Sequence, residues 1–378
     1  MYFQRVIDLD SVLAEKSCFL LGARQSGKSS LVRHQLPDHR VYNLLQVDVL
    51  RRLSRQPWLI REQVQESDKL IIIDEVQLIP ELLNEVHLLI EERGIRFLLT
   101  GSSARRLRRK GVNLLGGRAR WKQLLPLVRC ELGDSFDLHT ALARGLLPAI
   151  YLSDNYREEL QDYIDIYLRE EIANETEIRQ LPAYSRFLDI AALCHSQVVN
   201  YAKIANDAEL SPSTVREYFS VLIDTLIISR LPCWQESKKR KASAKDKYYF
   251  FDNGVARYLQ GRAELIETDD DIGVAFESYL YHELRAHSVY KSGLPLAYWR
   301  TNSGIEVDFL YGDKLAIEVK STARVTEKHL SGLLALKEEG AFADYLLVSR
   351  DPIERHVNGI HLLPYNLFLD RLWGGEWS

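Results

Sequence analysis

An α/β fold is predicted for this chain, its leading domain built on a parallel sheet, and three stretches carry the prediction. Ser17-Cys18-Phe19-Leu20-Leu21 is a short apolar run that feeds a glycine-rich loop, and Lys28 to Arg33 follows as the first turns of a helix. Lys69-Leu70-Ile71-Ile72-Ile73-Asp74-Glu75 is a continuous β-branched run closed by two acids. Ile95-Arg96-Phe97-Leu98-Leu99-Thr100-Gly101-Ser102-Ser103 is another, closed by small hydroxyl residues. Continuous rather than alternating apolar runs belong to strands covered on both faces, as in a parallel sheet flanked by helices.

The 378 residues are enough for two or three domains, and 46% hydrophobic with 27% charged residues is ordinary globular composition. A net charge of −4 excludes the global basic signature of small nucleic-acid binders, so any such contact is local. Cys18, Cys130, Cys194 and Cys233 lie far apart, without metal-ligand spacing or a disulfide framework. Neither a membrane-spanning apolar run nor a signal peptide is legible, and a cytoplasmic protein with no membrane partner is expected.

Gly22-Ala23-Arg24-Gln25-Ser26-Gly27-Lys28-Ser29 has the spacing of a phosphate-binding loop, in the strand, loop, helix context such a loop requires. Glycines at 22 and 27 let successive amide N–H groups turn inward at the positive end of a helix, forming an anion nest. Residues 22 to 30, through Ser30, are therefore the expected nucleotide cradle. Lys28 reaches the β- and γ-phosphates of ATP, and the Ser29 hydroxyl is a Mg²⁺ ligand.

Ligands of open α/β sheets bind beyond the carboxyl ends of the strands, which puts Asp74 in the Mg²⁺ shell and Glu75 where a general base would polarise water. Pro80 to Glu92 carries apolar residues at helical spacing and stops at Gly94, a helix crossing back over the sheet. The strand ending at Ser103 is then expected beside the Asp74 strand. Its end presents Ser102, or in second place Thr100, to the γ-phosphate or the lytic water.

Gly22 to Leu31, Ile72-Ile73-Asp74-Glu75-Val76-Gln77, Leu98 to Ser103, Gly116-Gly117-Arg118-Ala119 and Leu124-Leu125-Pro126-Leu127 resemble the bacterial and archaeal AAA-type ATPases that carry a C-terminal domain of unknown function. The resemblance covers the whole leading domain, residues 1–133. It implies that Asp74 and Glu75 are the Walker B pair, that Ser102 is the sensor, and that Arg118 is the best candidate for the arginine finger, with Arg120 second; the alternative for Arg118 is a loop arginine resting on a carboxylate. A finger acts within its own subunit or from a neighbour, which leaves a homo-oligomer open. The basic run Arg105-Arg106-Leu107-Arg108-Arg109-Lys110 reads as a solvated face or as a nucleic-acid contact.

Residues 134–260 read as a helical linker and winged-helix domain. Tyr156 to Glu171 is helical, Asn200 to Ala205 a short helix, Leu210 to Ser213 a capped turn and Thr214 to Ile227 a longer helix. Strands at Leu231 to Trp234 and Lys247 to Phe251 complete a winged helix, whose tip Lys238-Lys239-Arg240-Lys241 suits a DNA backbone. The long helix offers no stripe for base readout, so DNA binding without sequence preference stands beside a protein-contact role.

Residues 261–378 begin with a helix, Phe276 to His287, followed by strands at Tyr298 to Thr301, Ile305 to Leu310 and Leu315 to Lys320. Asp308 with Glu318 and Lys320 on adjacent strands is similar to the PD-(D/E)xK nuclease core, an α/β restriction-endonuclease-like fold. That similarity implies Asp308 and Glu318 as Mg²⁺ ligands, Lys320 as the residue orienting water, and Glu277 in support. A three-residue loop at Gly312-Asp313-Lys314 would set Asp308 opposite Glu318, whereas a two-residue loop would separate them. The alternative is a retained fold in which Glu318 and Lys320 form only a salt bridge beneath a helix. The functions expected are therefore ATP hydrolysis coupled to DNA, a nucleotide-dependent switch acting through protein contacts, or an ATP-dependent DNA nuclease.

Overall fold

The computed structural model describes residues 2–377 apart from 104, 106, 108–114, 176, 177, 179, 244, 263, 266 and 267. The chain divides into two compact units, residues 1–127 with 220–227, and residues 128–219 with 228–378.

In the first unit the strands are β1 (Ser17–Leu21), β2 (Arg40–Asn43), β3 (Leu70–Asp74), β4 (Arg96–Gly101) and β5 (Ala119–Gln123). They pair in parallel in the order β2-β3-β4-β1-β5. The strand ending in small hydroxyl residues thus lies beside the Asp74 strand, as expected. Ile71, Ile72 and Ile73 are fully buried, which is why this run shows no alternation. The helix Leu82–Arg93 buries Leu82, Val86 and Leu89 against Phe97 and Leu99, the spacing of one helical face. The β3 run closes at Asp74, one residue early, because Glu75 adopts a left-handed backbone and the chain turns into the single 3₁₀ turn Val76–Leu78.

In the second unit, the helix Tyr156–Asp162 continues in wide π-type turns through Glu171. The strand pair β6 (Gln197–Val198) and β8 (Lys247–Phe250), with β7 (Ile228–Leu231), forms an antiparallel sheet ordered β6-β8-β7. The helix Tyr201–Asp207 lies between β6 and β7 in the chain, with the Asn200 side chain accepting from Ala202 N–H (3.1 Å) and Lys203 N–H (3.3 Å). Ser211 Oγ accepts from Thr214 N–H (3.1 Å) at the start of the helix Pro212–Asp224, the cap anticipated there.

The remaining strands are β9 (Leu296–Arg300), β10 (Glu306–Tyr311), β11 (Leu315–Lys320), β12 (Asp344–Ser349), β13 (Arg355–Val357) and β14 (Ile360–Pro364). They form a mixed sheet ordered β13-β14-β12-β11-β10-β9. Trp299, Val307, Ala316 and Leu347 pack with Leu333 and Leu336 of the helix Ser331–Lys337 on one face, and the helix Asp269–His287 contacts β10 and β11. The Gly312 to Lys314 loop has three residues, and Phe309 pairs with Ile317, so Asp308 falls opposite Glu318 as the three-residue alternative requires. Among the described residues no helix is long and apolar enough to cross a membrane.

Candidate functional site

The carboxyl ends of β1, β3 and β4 share one edge of the parallel sheet, and the phosphate loop runs from β1 into the helix Lys28–Gln35. Gly27 sits at φ +99°, where a side chain would be strained. Gly22 lies so close to the backbone that a Cβ would meet Leu124 O at 2.4 Å and Ser26 Oγ at 2.8 Å. Lys28 is buried, its Nζ donating to Gly22 O (2.8 Å) and Ala23 O (3.1 Å). Burial lowers its pKa, against the opposing pull of Glu75 and Asp74. Ser26 Oγ is buried with no hydrogen-bond partner among the described residues, and Ser29 and Ser30 are exposed at the start of the helix. A cradle that excludes side chains, an unsatisfied hydroxyl and a desolvated ammonium fit a phosphate-bearing ligand.

Beside the loop, Thr100 Oγ1 donates to Asp74 Oδ1, and burial raises the pKa of Asp74. Glu75, at φ +59° and ψ +45°, accepts at Oε2 from the Gln77 amide and from Ser102 Oγ (3.5 Å). Gln77 Nε2 also donates to Ser102 Oγ (3.2 Å). The two hydroxyl residues offered as first and second choice thus divide the work, Thr100 orienting Asp74 and Ser102 facing Glu75. Gln77 carries no signal of its own in the sequence, because its place depends on a turn that strand periodicity does not reveal. The same holds for Arg5. Its guanidinium donates to Ser26 O (2.8 Å) and Leu125 O (2.6 Å), holding the back of the loop, and a lone arginine near the start of a sequence carries no signal of this.

Arg118, the expected finger, pairs with Glu91 and donates to Gly116 O (3.2 Å), while Arg120 pairs with Glu15. Both pairs are exposed, where such contacts contribute little to stability. Of the basic run, Arg105 is buried and pairs with Asp224 (3.0 Å); Arg106, Arg108, Arg109 and Lys110 lie outside the described residues.

The C-terminal acids converge, but not openly. Asp308 Oδ2 accepts from Val319 N–H (2.8 Å), and Glu318 pairs with Lys320 (2.6 Å). Glu277 Oε1 accepts from Tyr249 OH (2.5 Å) and lies 3.3 Å from Lys247 Nζ, which also pairs with Glu306. Burial alone would lower the pKa of Lys247, yet Glu277, Asp308 and Glu306 more than reverse it and raise it. Among the described residues, no three His, Cys, Asp or Glu side chains converge where a metal could sit. The expected Mg²⁺ ligands Asp308 and Glu318 are thus neighbours, one oxygen of each engaged by an amide or an ammonium, while Glu318 Oε2 is buried with no hydrogen-bond partner among the described residues. In the basic tip, the Lys238 and Lys239 N–H groups donate to Glu339 Oε2 (2.8 and 3.0 Å) and Arg240 pairs with Glu338 (2.9 Å), leaving the Lys238, Lys239 and Lys241 side chains exposed.

Residues 14–132 match a family described as an AAA domain, which agrees with the parallel sheet and phosphate loop of a P-loop ATPase domain. Residues 135–265 and 272–368 match two families described as domains of unknown function, DUF8612 and DUF4143. No curated protein matches the chain. Among solved structures the chain is similar to a Signal Transduction ATPase with Numerous Domains protein with a tetratricopeptide repeat sensor from Pyrococcus horikoshii, at 15% identity and a TM-score of 0.25. That match covers 76% of this chain and 49% of the archaeal chain, so the chain spans about half the length of that relative.

Proposed function

We propose that this chain, with an AAA domain over residues 14–132, is a Mg²⁺-dependent ATPase whose turnover is coupled to the helix–turn–helix segment. The observation that supports it best is the shared strand edge, where the Lys28 loop stands beside a Glu75–Gln77–Ser102 hydrogen-bonded group. Lys28 would leave its carbonyl partners for the β- and γ-phosphates, and the amides of residues 22 to 30 would take the remaining phosphate charge. Ser29 and Asp74 would hold Mg²⁺, which when bound neutralises charge developing on the transferred phosphoryl group. Glu75, oriented by Gln77, would accept the proton of the attacking water. Ser102 would sense the γ-phosphate. Arg118 would leave Glu91 to act as finger, in its own subunit or in a neighbouring copy.

The deciding experiment is steady-state ATP hydrolysis with Mg²⁺ by the full chain, Lys28→Ala and Glu75→Gln. Lys28→Ala is expected to lose nucleotide binding and turnover together, and Glu75→Gln to keep binding while turnover falls by about 10²–10⁴. Undiminished turnover in Glu75→Gln would remove the base assignment.

The capped helix pair between β6 and β7, the antiparallel sheet these strands form with β8 and the exposed Lys238, Lys239 and Lys241 favour a winged helix that contacts DNA backbone. Stimulation of the ATPase by duplex or branched DNA is expected. A rate indifferent to both DNAs would favour a nucleotide-dependent switch acting on a protein partner.

A further inference from the structure

The basic tip closes on an acid. Ser237 Oγ donates to Glu339 Oε1 (2.9 Å), Lys238 N–H to Oε2 (2.8 Å), and Lys239 N–H to both oxygens (3.2 and 3.0 Å). Two successive amides and a hydroxyl converging on one anion form a nest, the arrangement in which backbone N–H groups hold phosphate oxygens. Burial would raise the pKa of Glu339, yet the Lys239 and Lys238 amides and the Ser237 hydroxyl hold it below the ordinary value. The carboxylate therefore sits in the nest as an ion.

The frame of the nest does not depend on that ion. Trp234 N–H donates to Tyr298 O (2.7 Å), Asn302 N–H to Lys241 O (3.1 Å) and Arg240 Nη1 to Ala335 O (2.9 Å), so the loop is fixed on both sides of residues 237–239. Glu339, by contrast, directly follows the helix Ser331–Lys337 and its C-cap Glu338, the end whose carbonyls disfavour an anion. The side chains of Lys238, Lys239 and Lys241 stand exposed on the same loop, a charge that one carboxylate does not balance.

We propose that residues 237–239 are a seat for a nucleic-acid phosphate, that Glu339 fills it while no nucleic acid is bound, and that a backbone phosphate displaces the carboxylate when DNA is engaged. Glu339 is then an internal competitor for DNA, which holds only if the basic tip contacts DNA, as the winged-helix reading has it. The exposed lysines would supply the attraction and the nest the fixed point of contact.

Fluorescence anisotropy of a labelled DNA duplex with the full chain tests this, comparing the parent with Glu339→Ala and with Glu236→Ala, which removes an equal charge beside the nest rather than in it. Glu339→Ala should tighten duplex binding about tenfold and Glu236→Ala by no more than about twofold. Adding Ser237→Ala to Glu339→Ala should return part of the gain. In a parent that binds the duplex, equal affinity of Glu339→Ala, or an equal gain in Glu236→Ala, would overturn the seat and leave the DNA contact standing. No duplex binding by the parent or either variant would overturn the seat and the winged-helix reading together. Inorganic phosphate bound by Glu339→Ala in calorimetry, with no gain in duplex affinity, would make this a site for a free anion and overturn its nucleic-acid assignment. Should Glu339→Ala fail to fold, Glu339→Gln, which keeps the side-chain shape and loses the charge, is compared with Glu236→Gln in the same way.

Discussion

Glu75 holds a left-handed backbone at φ +59°, a conformation that costs a non-glycine residue about 1–2 kcal/mol. The turn it makes brings Gln77 back onto the Glu75 carboxylate and Ser102. On the proposed mechanism, Gln77→Ala should lower kcat about tenfold with nucleotide affinity unchanged, because there the amide would orient Glu75 without touching phosphate. Parallel turnover and nucleotide-binding assays read this, and an equal loss in both would make Gln77 part of the loop's support instead. Glu75→Gly should raise the melting temperature of the first unit and, on the proposed mechanism, abolish turnover, since it relieves the turn and removes the carboxylate proposed as base. Calorimetric melting beside an ATPase assay checks that opposition.

At the scale of elements, β8 is anchored by His195. Phe250 N–H donates to His195 Nδ1 (3.0 Å), which leaves the ring proton on Nε2 facing Ser278 Oγ (2.8 Å). Burial pushes this imidazole down to about 4 from an ordinary 6.5. The unfolded chain thus binds the proton that the folded one refuses, so the contribution is present above pH 6.5 and lost as pH falls toward 4. It amounts to about 3 kcal/mol at most. Asp252, which burial raises to about 6, slopes the other way, so the effect is read as a difference. Denaturant midpoints of the wild type and His195→Gln should diverge in the wild type's favour from pH 4.5 to 7.

The elements themselves were largely legible. Ile71 to Ile73 spell a doubly covered strand, and the length of the Gly312 to Lys314 loop fixes which carboxylates face each other. What sequence could not supply was partnership across distance. Nothing in Lys247 says that it will meet Glu277 on the helix Asp269–His287, and nothing in Arg118 says that Glu91 will receive it. Side-chain pairing of this kind follows from packing after the strands have assembled.

For the molecule as a whole, two compact units predict two unfolding transitions, since cooperativity is a property of each core. Mg²⁺ and ATP at a hundredfold excess over Kd should stabilise the transition of the first unit by about 2.7 kcal/mol and leave the other in place. Differential scanning calorimetry with and without nucleotide checks this, with Lys28→Ala expected to abolish the shift. Ser220 to Ile227 belong to the first unit although they are the end of a helix begun in the second and the turn that follows it. They carry the buried Val221, Leu222 and Ile227, and Asp224, the partner of Arg105. A gene cut after residue 133 would therefore encode a phosphate-loop unit with an open apolar seam and an unpaired buried arginine. Recombination cannot move this unit between genes as one uninterrupted piece; it must bring the distant octapeptide along or evolve a replacement.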